Sequence, residues 1–155
     1  SKIIIDLRGN TGGNSALNTP LMDFLEKHQD KTLIVLTDYR IFSGGRYALI
    51  DLIKLGAITI GTEIGTPLNC YGNSNWINID GYAFASSESY LSPSIDKSVF
   101  AHTKEDFKNN ITEEYLIPNI FKPDICVEEN VEDFLNGNDP IMNEALNYQP
   151  ANRLK

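Results

Sequence analysis

One serine in this chain has the sequence surroundings of a catalytic nucleophile. Ser43 stands between two apolar segments, the first typical of a strand and the second of a helix, and Gly44 and Gly45 follow it directly. The N–H groups in the first turn of a helix point outward and carry partial positive charge, which suits them to a developing oxyanion. Serine is also a common N-cap residue, and on local sequence alone this is the commoner role. The two roles are compatible, because a nucleophile can stand at the start of a helix.

A second glycine-rich loop follows the first apolar run of the chain. The sequence DLRGNTGGN at 6–14 contains the pair Gly12 and Gly13. After a parallel strand, such a pair can supply another oxyanion donor, cradle a phosphate, or form a tight turn that needs positive φ. The chain has neither the spacing of a phosphate-binding loop nor G-x-G-x-x-G, so nucleotide binding is disfavoured. The oxyanion and turn interpretations both stay open.

Alternating strands and helices place these two loops. Apolar, β-branched runs predict parallel strands at about 2–7, 32–37 and 57–61. A strand, loop and helix that repeat in this order are typical of an α/β fold. Loops at the carboxyl ends of such strands gather at one edge of the sheet. We therefore expect Gly12 or Gly13 to lie close to Ser43.

Helices are predicted between these strands. Asn18-Thr19-Pro20 is a helix-start signature, and apolar residues at helical spacing continue to about residue 30. A second helix, from about 45 to 55, is apolar almost all round, which indicates that it is buried. Gly56 is suited to end it.

The second half of the chain has a different character. Asp80-Gly81 between two short β-type runs is a strong hairpin signal. We expect a long loop at 62–75, hairpin strands at 75–79 and 82–86, irregular structure at 87–124, and a last helix from Asp139-Pro140 to about residue 148. Trp76, Tyr71 and Tyr82 either line a peptide groove or pack within the hairpin.

Composition excludes several classes of function. The net charge of −8 on 155 residues argues against nucleic acid as the main partner, since phosphate binding needs clustered Lys and Arg. No apolar run reaches the length of a membrane span, so this segment is not expected to insert into a membrane. No motif predicts a cofactor or a metal. Cys70 and Cys126 fit no metal-ligand spacing, and they are either two free thiols or one long-range disulfide.

Taken together, the motifs carry a resemblance to a known family. They are DLRGNTGGN at 6–14, FSGGRYALIDLIKLGAITIGTEIGTP at 42–67, LNCYGN at 68–73, PDICVE at 123–128 and NGNDPIMNEAL at 136–146. In this order and spacing, over nearly the whole chain, they resemble the tail-specific (C-terminal processing) serine peptidases and the core of the tricorn protease. The resemblance implies a fold like that of the Clp protease and crotonase superfamily. It also implies that Ser43 is the nucleophile, with oxyanion donors at Gly44 and at Gly12 or Gly13.

The general base departs from both branches of this family. The C-terminal processing branch has a Lys roughly two dozen residues after the Ser, and residues 66–69 contain none. The tricorn-like branch uses a His from an upstream segment together with a Glu, near whose place Glu63 stands, although many relatives carry it at the position of Thr62. His28 and His102 are poor substitutes. We expect residues 1–155 to be the C-terminal part of one peptidase catalytic domain, inactive without an upstream segment that supplies the base.

The leading interpretation is therefore a serine peptidase that cleaves peptides or proteins through an acyl-enzyme at Ser43. A pseudo-peptidase that binds extended peptides by strand addition is the alternative, and the missing base favours it. A crotonase-like acyl-CoA enzyme is a third interpretation. The resemblance also favours an exported, periplasmic or cell-envelope location. The sequence leaves open whether the protein is a homo-oligomer.

Overall fold

The chain builds an α/β structure around a four-stranded parallel sheet. The computed structural model describes residues 1–66, 70–90 and 121–150. Its strands span Lys2–Asp6 (β1), Thr32–Thr37 (β2), Ile58–Gly61 (β3) and Ile125–Cys126 (β6). They form the sheet in the order β1-β2-β3-β6, with every neighbouring pair parallel. The three parallel strands predicted from sequence are confirmed in one sheet, and β6 was not predicted.

The central strand β2 is buried on both faces. Ile34, Val35 and Leu36 have no exposed surface. Because successive side chains of a strand point to opposite faces, Val35 joins one apolar cluster while Ile34 and Leu36 join another. The continuous apolar run that predicted this strand therefore reflects a sheet covered on both sides.

Two helices cover one face of the sheet. These are α1 (Thr19–Glu26), which follows a short 3-10 helix at Ser15–Asn18, and α2 (Gly44–Lys54). All residues of α2 except Asp51 and Lys54 are buried, as its nearly continuous apolar character predicts. Gly56 ends the helix at φ +85, and its N–H donates to Ile53 O at 2.9 Å, which confirms the expected glycine stop.

The C-terminal part of the described chain covers the other face. Helix α3 (Val131–Asn136) precedes α4 (Pro140–Asn147), and Ile141 and Ala145 of α4 pack on the second cluster of the sheet. The last helix is as predicted, whereas α3 was missed. Its signals were present, because Asn130 and Asp133 form a capping box and Gly137 ends the helix at φ +68.

The hairpin forms at the predicted turn but is longer than predicted. Strands β4 (Cys70–Ile79) and β5 (Tyr82–Tyr90) pair antiparallel around Asp80 and Gly81, which both have positive φ. The loop predicted at 62–75 is thus wrong from residue 70, and the irregular segment predicted at 87–124 is wrong at 87–90. A hairpin ladder continues through backbone hydrogen bonds, so polar residues can extend it where they show no apolar alternation. Residues 91–120 lie outside the described part of the chain.

Candidate functional site

Ser43 has an unusual backbone conformation. It lies between β2 and α2 with φ 47 and ψ −121, in a region that residues other than glycine rarely adopt. Its side chain makes no capping hydrogen bond to the helix, so the N-cap role that local sequence favours is not observed. Ser43 is half-buried. A strained serine at a sharp strand-to-helix turn is also the arrangement in which α/β-hydrolases hold their nucleophile.

The glycine loop after β1 lies directly against Ser43. A methyl group built on Gly12 would lie 2.6 Å from Ser43 Cβ and 2.6 Å from the Gly44 amide nitrogen. On the other side of the contact, a methyl group on Gly44 would lie 2.6 Å from the Gly13 carbonyl oxygen. Only glycine allows these two loops to approach so closely. The prediction that Gly12 or Gly13 lies close to Ser43 is confirmed, and the residue in contact is Gly12.

The hydrogen bonds distinguish between the amides at this junction. The Gly12 N–H donates to Asn10 Oδ1 at 2.9 Å, and the Gly45 N–H donates to the Phe42 carbonyl at 2.9 Å. The N–H groups of Gly13 and Gly44 have no hydrogen-bond acceptor among the residues that the structure describes. The N–H groups of Gly12 and Gly45 are therefore already hydrogen-bonded within the protein. The N–H groups of Gly13 and Gly44 remain available to an oxyanion.

The backbone carbonyl of Asn10 and the side chain of Asp38 fasten the two loops to each other. The Asn10 carbonyl accepts the Phe42 N–H at 3.0 Å, immediately before Ser43. The buried Asp38 side chain accepts the N–H of Gly9 at 3.0 Å and that of Arg40 at 3.0 Å, and it pairs with Arg40 Nε at 2.7 Å. These bonds join the loop after β1 to the loop after β2, so they also set the separation of the glycines.

Arg8 ties the first loop to the C-terminal helix α4. Its guanidinium forms a bidentate pair with Asp139 at 2.8 and 2.7 Å, and it also contacts both oxygens of Asp6 at 3.0 and 2.8 Å. Hydrogen bonds from Arg8 lower the pKa of both carboxyl groups, and the two carboxylates raise the pKa of Arg8. Asp139 is itself the N-cap of α4, accepting the Met142 N–H at 2.8 Å. The start of the glycine loop is thus anchored to α4 by the side chains of Arg8 and Asp139.

An open cleft of about 860 Å³ lies at the carboxyl ends of the strands, where the sequence predicts a site. It is lined by residues of the two loops and of the C-terminal segment, among them Arg8, Asp38, Tyr39, Glu63 and Cys126. Ser43 does not line this cleft, but it follows Tyr39 and Arg40 within the same loop. The Cys126 thiol is free and exposed; the side chains of Cys70, Tyr71, Trp76 and Tyr82 fall outside what the structure describes.

The sequence-predicted Glu63 is not brought into contact with Ser43. Its carboxylate pairs with Lys122 Nζ at 3.2 Å, and within the described ranges no hydrogen bond joins it to the serine. Glu63 is partly exposed at the cleft, where another group can still reach it.

No base for Ser43 is found in the described part of the chain. No side chain within residues 1–66, 70–90 and 121–150 hydrogen-bonds to Ser43 Oγ. The ring of His28 stacks on Phe24 with centroids 4.1 Å apart, and its Nδ1 lies 2.7 Å from the Phe24 carbonyl oxygen. His102 and residues 67–69 lie outside the described residues. In the described ranges there is also no His, Cys, Asp and Glu grouping that could hold a metal ion.

Comparison with known proteins does not identify a function for this site, so the functional assignment depends on the geometry alone. None of the helices in the described segments is long and apolar enough to cross a membrane. No protein-family model matches this chain, and the search of curated proteins gives no significant match.

Proposed function

We propose that this chain carries the nucleophile and the oxyanion donors of a serine-type peptidase, on a fold of the Clp protease and crotonase type. The observation that supports this most is the conformation of Ser43. A non-glycine residue at φ 47 costs on the order of 1–3 kcal/mol, and such strain persists only where surrounding structure imposes it. Here the strained residue is a serine, it lies against Gly12, and the amides of Gly13 and Gly44 have no acceptor among the described residues.

The proposed reaction follows from these groups. The Ser43 oxygen attacks the carbonyl carbon of a peptide bond, and the hydroxyl proton passes to a general base. The N–H groups of Gly44 and Gly13 donate to the oxyanion that forms, which is worth about 3–4 kcal/mol for one such donor in a known protease. The C–N bond then breaks as the leaving amine takes the proton from the base. Water, deprotonated by the same base, hydrolyses the acyl-Ser43 ester.

The general base is assigned to a residue outside the described part of the chain. A serine without an adjacent base keeps the pKa of an ordinary alcohol and is a poor nucleophile. We therefore expect peptide hydrolysis only when that base is present beside Ser43. Glu63, partly exposed at the cleft, is proposed to orient that base, as the resemblance to the tricorn-like branch implies.

One observation favours a second function. Since no described side chain hydrogen-bonds to Ser43 Oγ, the same geometry also suits a protein that binds extended peptides without cleaving them. The strained serine would then have no chemical role, and we rank this candidate second for that reason.

The proposal is tested by Ser43→Ala in the complete protein, assayed for hydrolysis of a mixture of fluorogenic peptides. Loss of a serine nucleophile lowers the rate on the order of a millionfold in a known protease, so hydrolysis should fall to background. Ser15→Ala is the matched control, because Ser15 lies in a neighbouring 3-10 helix and lines a different cavity. It should keep wild-type activity.

Two results would redirect the assignment. Peptide hydrolysis by Ser43→Ala within about tenfold of wild type would exclude Ser43 as the nucleophile, because a lost nucleophile costs far more. If the wild-type protein binds peptides but hydrolyses none of them, the binding function replaces the enzymatic one.

A further inference from the structure

Asn10 makes three contacts at the junction of the two glycine loops. Its side-chain oxygen accepts the Gly12 N–H at 2.9 Å, and its carbonyl accepts the Phe42 N–H at 3.0 Å. It also packs against Gly45, since a methyl group there would lie 2.6 Å from Asn10 O and 3.0 Å from Asn10 Oδ1. One residue therefore contacts the glycine pair, the residue before Ser43 and the first turn of α2.

We propose that Asn10 is the positioning residue that selects the Gly13 amide, and not the Gly12 amide, as the second oxyanion donor. By accepting the Gly12 N–H, the side chain fixes the peptide group before Gly12. By accepting the Phe42 N–H, the backbone fixes the loop that carries Ser43. This inference rests on the proposed function, because it assigns a role within the same oxyanion site.

Physical reasons support a positioning role for a side chain here. Gly12 and Gly13 have φ of +107 and +139, conformations that glycine adopts freely and therefore does not hold by itself. Ordering a residue's backbone costs conformational entropy, which an external hydrogen bond can help to offset. An Asn side chain that accepts the N–H two residues on forms an Asx turn, which restricts this rotation. Oxyanion donors act only when they are already aligned, so a loose glycine pair would be a poor donor.

The test compares Asn10→Ala with a matched control, Asn14→Ala, in the complete protein. Asn14 Oδ1 accepts the Ala16 N–H at 3.0 Å, so the control removes the same kind of bond from the same loop, away from the Phe42 and Gly45 contacts. The readout is the second-order rate of Ser43 labelling by a fluorophosphonate, with the labelled residue located by mass spectrometry. We expect Asn10→Ala to label about 10- to 1,000-fold more slowly, up to the loss seen when one oxyanion donor is removed. Asn14→Ala should label within about twofold of wild type.

A second measurement separates positioning from general loosening of the fold. Amide hydrogen exchange should show Gly12 N–H protected in the wild type and unprotected in Asn10→Ala, with the protection of core strand residues such as Val35 unchanged. Asn10→Ser keeps an uncharged acceptor that can form the equivalent, weaker turn. It should therefore label at a rate between those of Asn10→Ala and wild type.

Failure of this inference can be told from failure of the proposed function. Wild-type protein that does not label at Ser43 would contradict the proposed function. If the wild-type protein labels at Ser43, two results would overturn the role of Asn10 and keep Ser43 as the nucleophile. One is that Asn10→Ala labels as fast as wild type, and the other is that Asn10→Ser labels no faster than Asn10→Ala.

Discussion

Replacing Ser43 by glycine should make this chain more stable while removing its proposed chemistry. A non-glycine residue at φ 47 and ψ −121 is strained by about 1–3 kcal/mol, and glycine accepts that conformation without the steric cost. Glycine loses more backbone freedom on folding, which offsets about 0.5–1 kcal/mol. The net expectation for Ser43→Gly is a gain of up to about 2.5 kcal/mol in the free energy of unfolding. A domain of this size should then melt up to about 10 °C higher, at about 2–4 °C per kcal/mol.

Ser43→Ala separates strain from hydrogen bonding. Alanine keeps the Cβ and therefore the strain, and the serine side chain caps no helix, so Ser43→Ala should melt close to wild type. The cost of about 1 kcal/mol that a lost N-cap would bring is not expected here. Ser15→Gly makes the same change at a residue with ordinary, negative φ and should be destabilising.

The assay is urea unfolding followed by circular dichroism, with thermal melts as a second measure. Ser43→Gly should be the most stable of the four proteins. Wild type and Ser43→Ala should be close to each other in stability, and Ser15→Gly should be less stable than wild type. A Ser43→Gly variant that unfolds at the same or lower urea concentration than Ser43→Ala would show that the strain is not present in the folded protein.

Further predictions concern the two loops and their anchor. Gly12→Ala should destabilise the chain by about 1–3 kcal/mol more than Gly13→Ala. Both residues have positive φ, but only the methyl group added on Gly12 would clash, because one added on Gly13 would have no atom within 4 Å. Equal urea midpoints for the two variants would contradict the close approach. Arg8 lowers the pKa of Asp6 and Asp139, so their contribution to stability is complete above the unfolded pKa of about 4 and is lost as the pH falls through the lower, folded pKa values. Asp139→Asn keeps a capping oxygen but loses the charge. Its melting temperature should lie below that of wild type at pH 7 and approach it near pH 2. A difference in melting temperature that stays constant with pH would exclude the ion pair as the cause.

The fold could be predicted where local composition decides the structure. Continuous apolar runs predicted β1, β2 and β3, because a sheet covered on both faces needs apolar side chains at every position. The approach of Gly12 to Ser43 followed from topology, since loops after neighbouring parallel strands share one edge. Short elements were missed: β6 has two residues, too few for any periodicity to show.

The parts of the site that were missed depend on contacts distant in sequence. Arg8 and Asp139 are 131 positions apart, and nothing in the spacing of either motif links them. The positive φ of Ser43 was not predictable either, because serine has no preference for that conformation and the surrounding structure imposes it. Asn10 offered a local signal, an Asn two residues before a glycine, which is typical of an Asx turn.

The most direct test of the central claim is a crystal structure of the complete protein with a peptidyl boronate. A boronate forms a covalent bond with a nucleophilic serine and mimics the tetrahedral intermediate. The account predicts a bond from boron to Ser43 Oγ, and one boronate oxygen about 3 Å from both the Gly13 and the Gly44 nitrogens. A boronate bound to another residue, or one whose oxygen lies beyond hydrogen-bond reach of these two amides, would contradict it.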